Sequence, residues 1–174
     1  MAKTIQNGAI IFIFVLTIAA FLPLGTSDLM ETTCQKTRNP ELCEYILRHD
    51  PRSYEPNADL KVLTLVVIDS LISKTDYTLK AIKQMLIDRP ELKIPLDECG
   101  NQFALIRNFY IRDAIVAVNS GNPKLGEDMM FSVNDAAHLC DAAFKPNPSP
   151  FVNINAIFYD IADITSAMFT QMQM

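Results

Sequence analysis

The sequence predicts an all-α protein: an antiparallel up-down four-helix bundle preceded by a helical hairpin and held by two disulfides. Three observations carry this. Apolar residues recur at helical spacing in four long runs, strand-like alternation is sustained nowhere, and proline or glycine punctuates each junction. The Val66-Val67-Ile68 cluster sits inside a periodic run much longer than a strand.

Taken in order, residues 28–52 read as two short helical pieces joined at Asn39-Pro40, because proline suits a first helical turn and disfavours helix just before it. Cys34 and Cys43 flank this corner and would clip a hairpin with too few apolar residues to stand alone. After the polar stretch from Asp50 to Asn57, Leu60, Leu63, Val67 and Leu71 begin a long helix that continues less cleanly through Ala81, Ile82, Met85 and Leu86 and stops before Pro90. A second run starts near Pro95 and sets Cys99, Phe103, Ile106, Tyr110, Ala114 and Ala117 on one face, ending at Ser120-Gly121-Asn122, where glycine suits a helix C-terminus. A third starts at Pro123 and stacks Leu125, Met129, Val133, Ala136, Cys140 and Ala143. Pro146, Pro148 and Pro150 end it. The last run places Ile154, Ile157, Phe158, Ile161, Thr165, Met168, Phe169 and Met172 on one side, with Asp160 and Asp163 off it.

Short connections between long helices make the up-down bundle the simplest packing. If the chain reverses near Gly121, Cys99 lies 22 residues before the turn and Cys140 lies 19 after it. Each is then on the order of 30 Å from the turn at 1.5 Å per residue, so antiparallel neighbours bring the two together. That favours Cys99–Cys140 with Cys34–Cys43. The other two connectivities would drag the hairpin onto mid-bundle positions.

Residues 1–27 read as a removed signal peptide. Lys3 precedes an apolar run from Ala9 to Leu24 that is too short and too soon broken by Pro23 and Gly25 to span a bilayer, and Gly25 and Ser27 supply the small residues a cleavage site needs. The expected mature chain is a single domain, residues 28–174, comprising the hairpin (28–57) and the bundle (58–174). Removing the leader deletes one charge, Lys3, and takes the net charge from −5 to −6. With basic residues scattered singly among acidic ones, neither nucleic acid nor anionic lipid is a fitting partner, and no membrane association is expected after cleavage. An even cysteine count in an exported chain points to disulfides. Zinc does not fit, because no Cys-x-x-Cys pair occurs and His49 and His138 complete no usual ligand set. Asn147-Pro148-Ser149 is blocked as a glycan acceptor by its proline.

No motif for nucleophilic, metal or phosphate chemistry is present, so no catalytic residue, metal or cofactor is expected. Three acidic groupings have structural readings instead. Asp135, near His138 and Asp141, is spaced for a helix-surface contact with the histidine. Glu127-Asp128 is read as falling in the first turn of the third helix, where the dipole favours acids. Asp160 and Asp163 decorate a polar face. The methionines, among them Met129, Met130, Met168, Met172 and Met174, read as core filling rather than as an adaptable groove.

Thr33-Cys34, then Arg38-Asn39-Pro40-Glu41-Leu42-Cys43, a long Val/Leu-rich helix, widely spaced Cys99 and Cys140, and Ser149-Pro150-Phe151 before the last helix form a recognisable pattern. It resembles the plant invertase and pectin methylesterase inhibitor family over essentially the whole mature chain. The resemblance implies a four-helix bundle with an N-terminal hairpin, one disulfide in the hairpin and one between bundle helices two and three. It also implies no catalysis of its own and a protein partner, either acid invertase or pectin methylesterase, in the cell wall or the vacuole. The invertase-inhibiting branch carries Pro-Lys-Phe in the loop entering helix three. Here Pro123-Lys124-Leu125 stands in that place, with leucine for the aromatic. The resemblance therefore points to Pro123, Lys124 and Leu125 as target-binding residues and to acid invertase ahead of pectin methylesterase. A non-inhibitory helical bundle, structural or holding an apolar ligand, is the alternative of another class.

Overall fold

The computed structural model describes residues 26–173, and the leader read at 1–27 lies outside them apart from Thr26 and Ser27. Helices α1 (Thr26–Cys34) and α2 (Pro40–Arg48) form the hairpin, and a short 3₁₀ turn (Pro51–Tyr54) leads to the bundle. The bundle consists of α3 (Leu60–Asp88), a rod made of α4 (Lys93–Leu105), a π turn (Ile106–Tyr110) and α5 (Ile111–Ser120), then α6 (Pro123–Ala143) and α7 (Val152–Gln171). The rod and α7 each pack against both α3 and α6, which sets the four at the corners of a square in up-down order. No strand occurs among the described residues.

The boundaries follow from capping. Asn39, Asp59 and Asn122 each accept a hydrogen bond from the backbone N–H three residues on, at Leu42, Val62 and Leu125, and Pro40 and Pro123 fill first-turn positions that need no donor. The loop into α7 is closed by Ser149, whose Oγ accepts from the Phe151 N–H at 3.0 Å. Phe151 and Phe144 are buried there edge-on to each other and stopper that end of the bundle.

The core departs from the simple stripes in three places. In the rod, the π turn inserts one residue into the buried register. Ile111 therefore enters the core, while Tyr110, expected on the buried face, is only half-buried. In α6, Met130 rather than Met129 is buried, with Gly126 one turn before it. In α3 the core includes Thr64, Thr75 and Thr78, whose hydroxyls donate to the carbonyls of Leu60, Leu71 and Lys74 at 2.7, 2.7 and 2.9 Å. A β-branched residue that satisfies its own hydroxyl this way packs much like valine. Phe103 and Phe158 meet edge-to-face at 4.9 Å near the centre.

The disulfides join Cys34 to Cys43 and Cys99 to Cys140, and all four cysteines are fully buried. The second ties the rod to α6 across 41 residues of sequence, a closure worth about 4 kcal/mol in the chain-entropy model. Three polar contacts fasten the hairpin to α7. Asn39 Nδ2 donates to Asp160 at 3.2 Å, Arg38 pairs with Asp163 at 3.0 Å, and Gln171 Nε2 reaches the Thr33 carbonyl at 3.2 Å. Asp160 and Asp163 are thus docking residues for the hairpin, not decoration. Beyond the hairpin, Arg52 bridges Asp50 and Asp69, at 2.7 Å to each, and so anchors the 3₁₀ turn to α3.

Gly126 is required by packing, because a Cβ there would come within 2.2 Å of the buried Phe169 ring. Gly126→Ala should lower stability by about 1–3 kcal/mol in denaturant unfolding. Gly100→Ala, whose Cβ would meet Ile82 at an ordinary 3.7 Å, should gain up to about 1 kcal/mol. A second expectation concerns pH. The Arg52 hydrogen bonds hold the Asp50 carboxyl below its ordinary value of 3.8. A depressed folded-state pKa means stability that is present above the unfolded value and lost as pH falls through the folded one. Asp50→Asn, which keeps the cap, should therefore lower the thermal midpoint near neutrality, and the difference from wild type should vanish once the pH is well below 3.8.

Candidate functional site

The tip between α5 and α6 is built from two residues. Gly121 closes α5 in the left-handed conformation (φ 66°, ψ 38°), which glycine adopts without a Cβ penalty. Its N–H donates to the Val118 carbonyl at 3.3 Å, and the Asn122 N–H donates to the Ala117 carbonyl at 2.9 Å, so the freed carbonyls of α5 are satisfied. Asn122 then turns around and caps α6, its Oδ1 accepting from Leu125 N–H at 3.2 Å. One residue therefore ends one helix and starts the next, and the orientation of Pro123, Lys124 and Leu125 is fixed by backbone hydrogen bonds.

The three residues differ in presentation. Pro123 is half-buried in the first turn, and Leu125 is half-buried with its side chain against the core. Lys124 projects outward, its side chain 72% exposed. Its Nζ donates to Asp128 Oδ1 at 2.7 Å, and that hydrogen bond, reinforced by the Asp128 charge, holds the ammonium pKa above the usual lysine range. Glu127 and Asp128 lie in the second turn of α6, beyond the first turn where an acid gains most from the dipole, and each has a specific partner instead. Glu127 Oε1 accepts from the Thr170 hydroxyl at 2.6 Å.

The second polar cluster lies between α6 and α7. His138 does not hold Asp135. Its ring stacks on Tyr159 at 4.4 Å, with Nδ1 3.0 Å from the phenol oxygen, and the same hydroxyl lies 3.3 Å from Asp141. Burial first, then the Asp141 charge, pushes the Tyr159 phenol well above its ordinary pKa. Asn155, wholly buried, donates from Nδ2 to Asp141 at 2.8 Å and to the Ala137 carbonyl at 3.3 Å. The sequence reading missed Asn155 because it stands among apolar neighbours on the inward face of α7, with nothing in its spacing to pair it with Asp141. A phenol kept protonated and a carboxylate engaged with Asn155 and Tyr159 make a structural cross-link, not a catalytic set. No group of His, Cys, Asp and Glu among the described residues is disposed to hold a metal. No helix among them is long and apolar enough to cross a membrane.

A model of the plant invertase/pectin methylesterase inhibitor family matches residues 28–168. The chain belongs to that family. The family is one of inhibitors rather than enzymes, in keeping with acidic groups that are engaged in structural contacts. Among its members, the chain is 33% identical over 146 residues to cell wall / vacuolar inhibitor of fructosidase 1 of Arabidopsis thaliana, a match covering 84% of this chain and 70% of that one. It is 30% identical over 132 residues to the pectinesterase inhibitor of Actinidia deliciosa, covering 71% and 66%. In fold it is similar to the crystal structure of a pectin methylesterase inhibitor from Arabidopsis thaliana, with a TM-score of 0.61 at 20% identity over 82% of this chain and 95% of that one. A mutant form of such an inhibitor gives a TM-score of 0.65 at 20% identity over 81% and 95%.

Asn122→Ala should remove the α6 cap and cost about 0.5–2 kcal/mol. Asn122→Ser should recover most of that in the same unfolding measurement.

Proposed function

We propose that this protein is secreted and inhibits an acid invertase by stoichiometric binding, with the Pro123-Lys124 tip entering the active-site cleft. The observation that carries this reading is the 33% identity to an inhibitor of fructosidase over most of the chain. The tip supplies a physical route. A retaining glycosidase presents paired carboxylates in its cleft, and Lys124 offers one solvent-exposed ammonium beside a two-residue turn fixed by caps. The destination is the cell wall or the vacuole, since the named relative is a cell wall / vacuolar inhibitor.

Pectin methylesterase is the second reading, favoured by the 30% identity to a pectinesterase inhibitor and by Leu125, which is turned toward the core rather than offered as an exposed aromatic. In that case polar residues along the bundle helices would make the contact. A non-inhibitory bundle holding an apolar ligand fits less well, because the interior methionine and phenylalanine positions Met130, Met168, Phe103, Phe158 and Phe169 are packed into the core.

Titrating the oxidised protein against purified acid invertase and pectin methylesterase at mildly acidic pH separates these readings. The expected result is stoichiometric inhibition of invertase, weakened at least tenfold by Lys124→Ala, a size consistent with losing one charged contact in an enclosed cleft. Inhibition of pectin methylesterase alone would transfer the function to the second reading, and inhibition of neither would refute both. A folded Lys124→Ala protein as potent as wild type would remove the lysine from the contact.

A further inference from the structure

Lys124 is placed where its own helix gains little from it. It lies in the first turn of α6, where the helix dipole disfavours a cation, and its partner Asp128 follows it by four residues, the less favourable order for such a pair. The charge is therefore held by Asp128 rather than by the helix. Glu127, the other neighbouring carboxylate, is committed to the Thr170 hydroxyl on α7. Asp128 bonds Lys124 directly, at 2.7 Å, and its side chain is 55% exposed. A carboxylate that engages Lys124 competes with Asp128 for the ammonium charge, even though two N–H donors stay free, and the Asp128 charge then faces an acidic cleft.

We propose that Asp128 is an affinity-setting residue of the tip, an internal competitor that holds the Lys124 ammonium until a target carboxylate displaces it. This deepens the tip reading above and rests on it. An exposed ion pair on one helix is weak and exchanges readily, so the competition sets how tightly Lys124 is engaged without preventing engagement. The partner so selected must offer more than a lone surface carboxylate. It must present an enclosed acidic site, where a new pair with Lys124 is screened less than the pair with Asp128.

The test is the inhibition constant against acid invertase for wild type, Asp128→Asn, Lys124→Ala and the double variant, each checked for native helicity by circular dichroism. In parallel, the Lys124 side-chain nitrogen is followed by NMR in free wild type and free Asp128→Asn. Asparagine preserves shape and removes the charge. Asp128→Asn should inhibit roughly two- to fivefold more tightly, most of that gain should disappear when Lys124 is alanine, and the Lys124 nitrogen signal should shift in Asp128→Asn. Three results would overturn the proposal while leaving the tip reading intact, provided Lys124→Ala weakens inhibition: unchanged or weaker inhibition by Asp128→Asn, an equal gain without Lys124, or an unmoved lysine signal. If Lys124→Ala inhibits as wild type does, or wild type does not inhibit acid invertase, the tip reading falls and takes this inference with it.

Discussion

The register between the α4–α5 rod and α6 is the constraint on which the rest of the structure depends, and it is closed at both ends. At one end Cys99 is bonded to Cys140, and at the other Gly121 and Asn122 reverse the chain in two residues. With both ends tied, neither helix can slide past the other without breaking a covalent bond or the caps at the tip. The π turn at Ile106–Tyr110 lies between these ties and passes the buried face from Ile106 to Ile111. The outer helices α3 and α7 pack on a pair whose alignment is already set. What that pair presents beside its turn is an exposed lysine on a capped backbone, and preorganisation of this kind lowers the cost of binding a partner.

The molecule divides its stabilising forces by location. Inside the bundle, aliphatic and aromatic side chains exclude water, with threonine hydroxyls returned to their own helices and Asn155 tied to Asp141. Around the hairpin, apolar burial by Met30, Leu47 and the Cys34–Cys43 bridge is supplemented by carboxylate contacts from Asp160, Asp163 and Asp50. Carboxylates held in such docking contacts are not free to act as an acid-base pair. The net charge of −5 is partly structural mortar.

Most of the architecture was legible because several helices carried local start or stop signals. Asn39-Pro40, Asn122-Pro123 and Ser120-Gly121 act through local backbone geometry, which is encoded within a few residues. What was not legible depends on contacts between helices. Periodicity put Tyr110 and Met129 inward because it assumes an unbroken 3.6-residue repeat and a fixed stripe. The π turn moved the first position, and contact with two neighbouring helices broadened the second stripe to Gly126 and Met130. Thr75 and Thr78 look polar in sequence, but their hydroxyls are internally satisfied. Asp160 and Asp163 acquire partners 121 and 125 residues away, and His138 finds Tyr159 rather than its helical neighbour Asp135. At the tip, the sequence marked Pro123 and Lys124 and set Leu125 on the apolar stripe, where the structure has it, but did not show that Asp128 holds the lysine.

We propose that a doubly tied helix pair offers its tip to an enzyme cleft while the remainder serves as scaffold. Amide hydrogen exchange of the oxidised protein, free and saturated with acid invertase, tests it most directly. New protection should concentrate on peptides spanning residues 119–128, with little change over the hairpin and the middle of α3. Protection confined to the hairpin or to α3, with the tip exchanging as in the free protein, would contradict it.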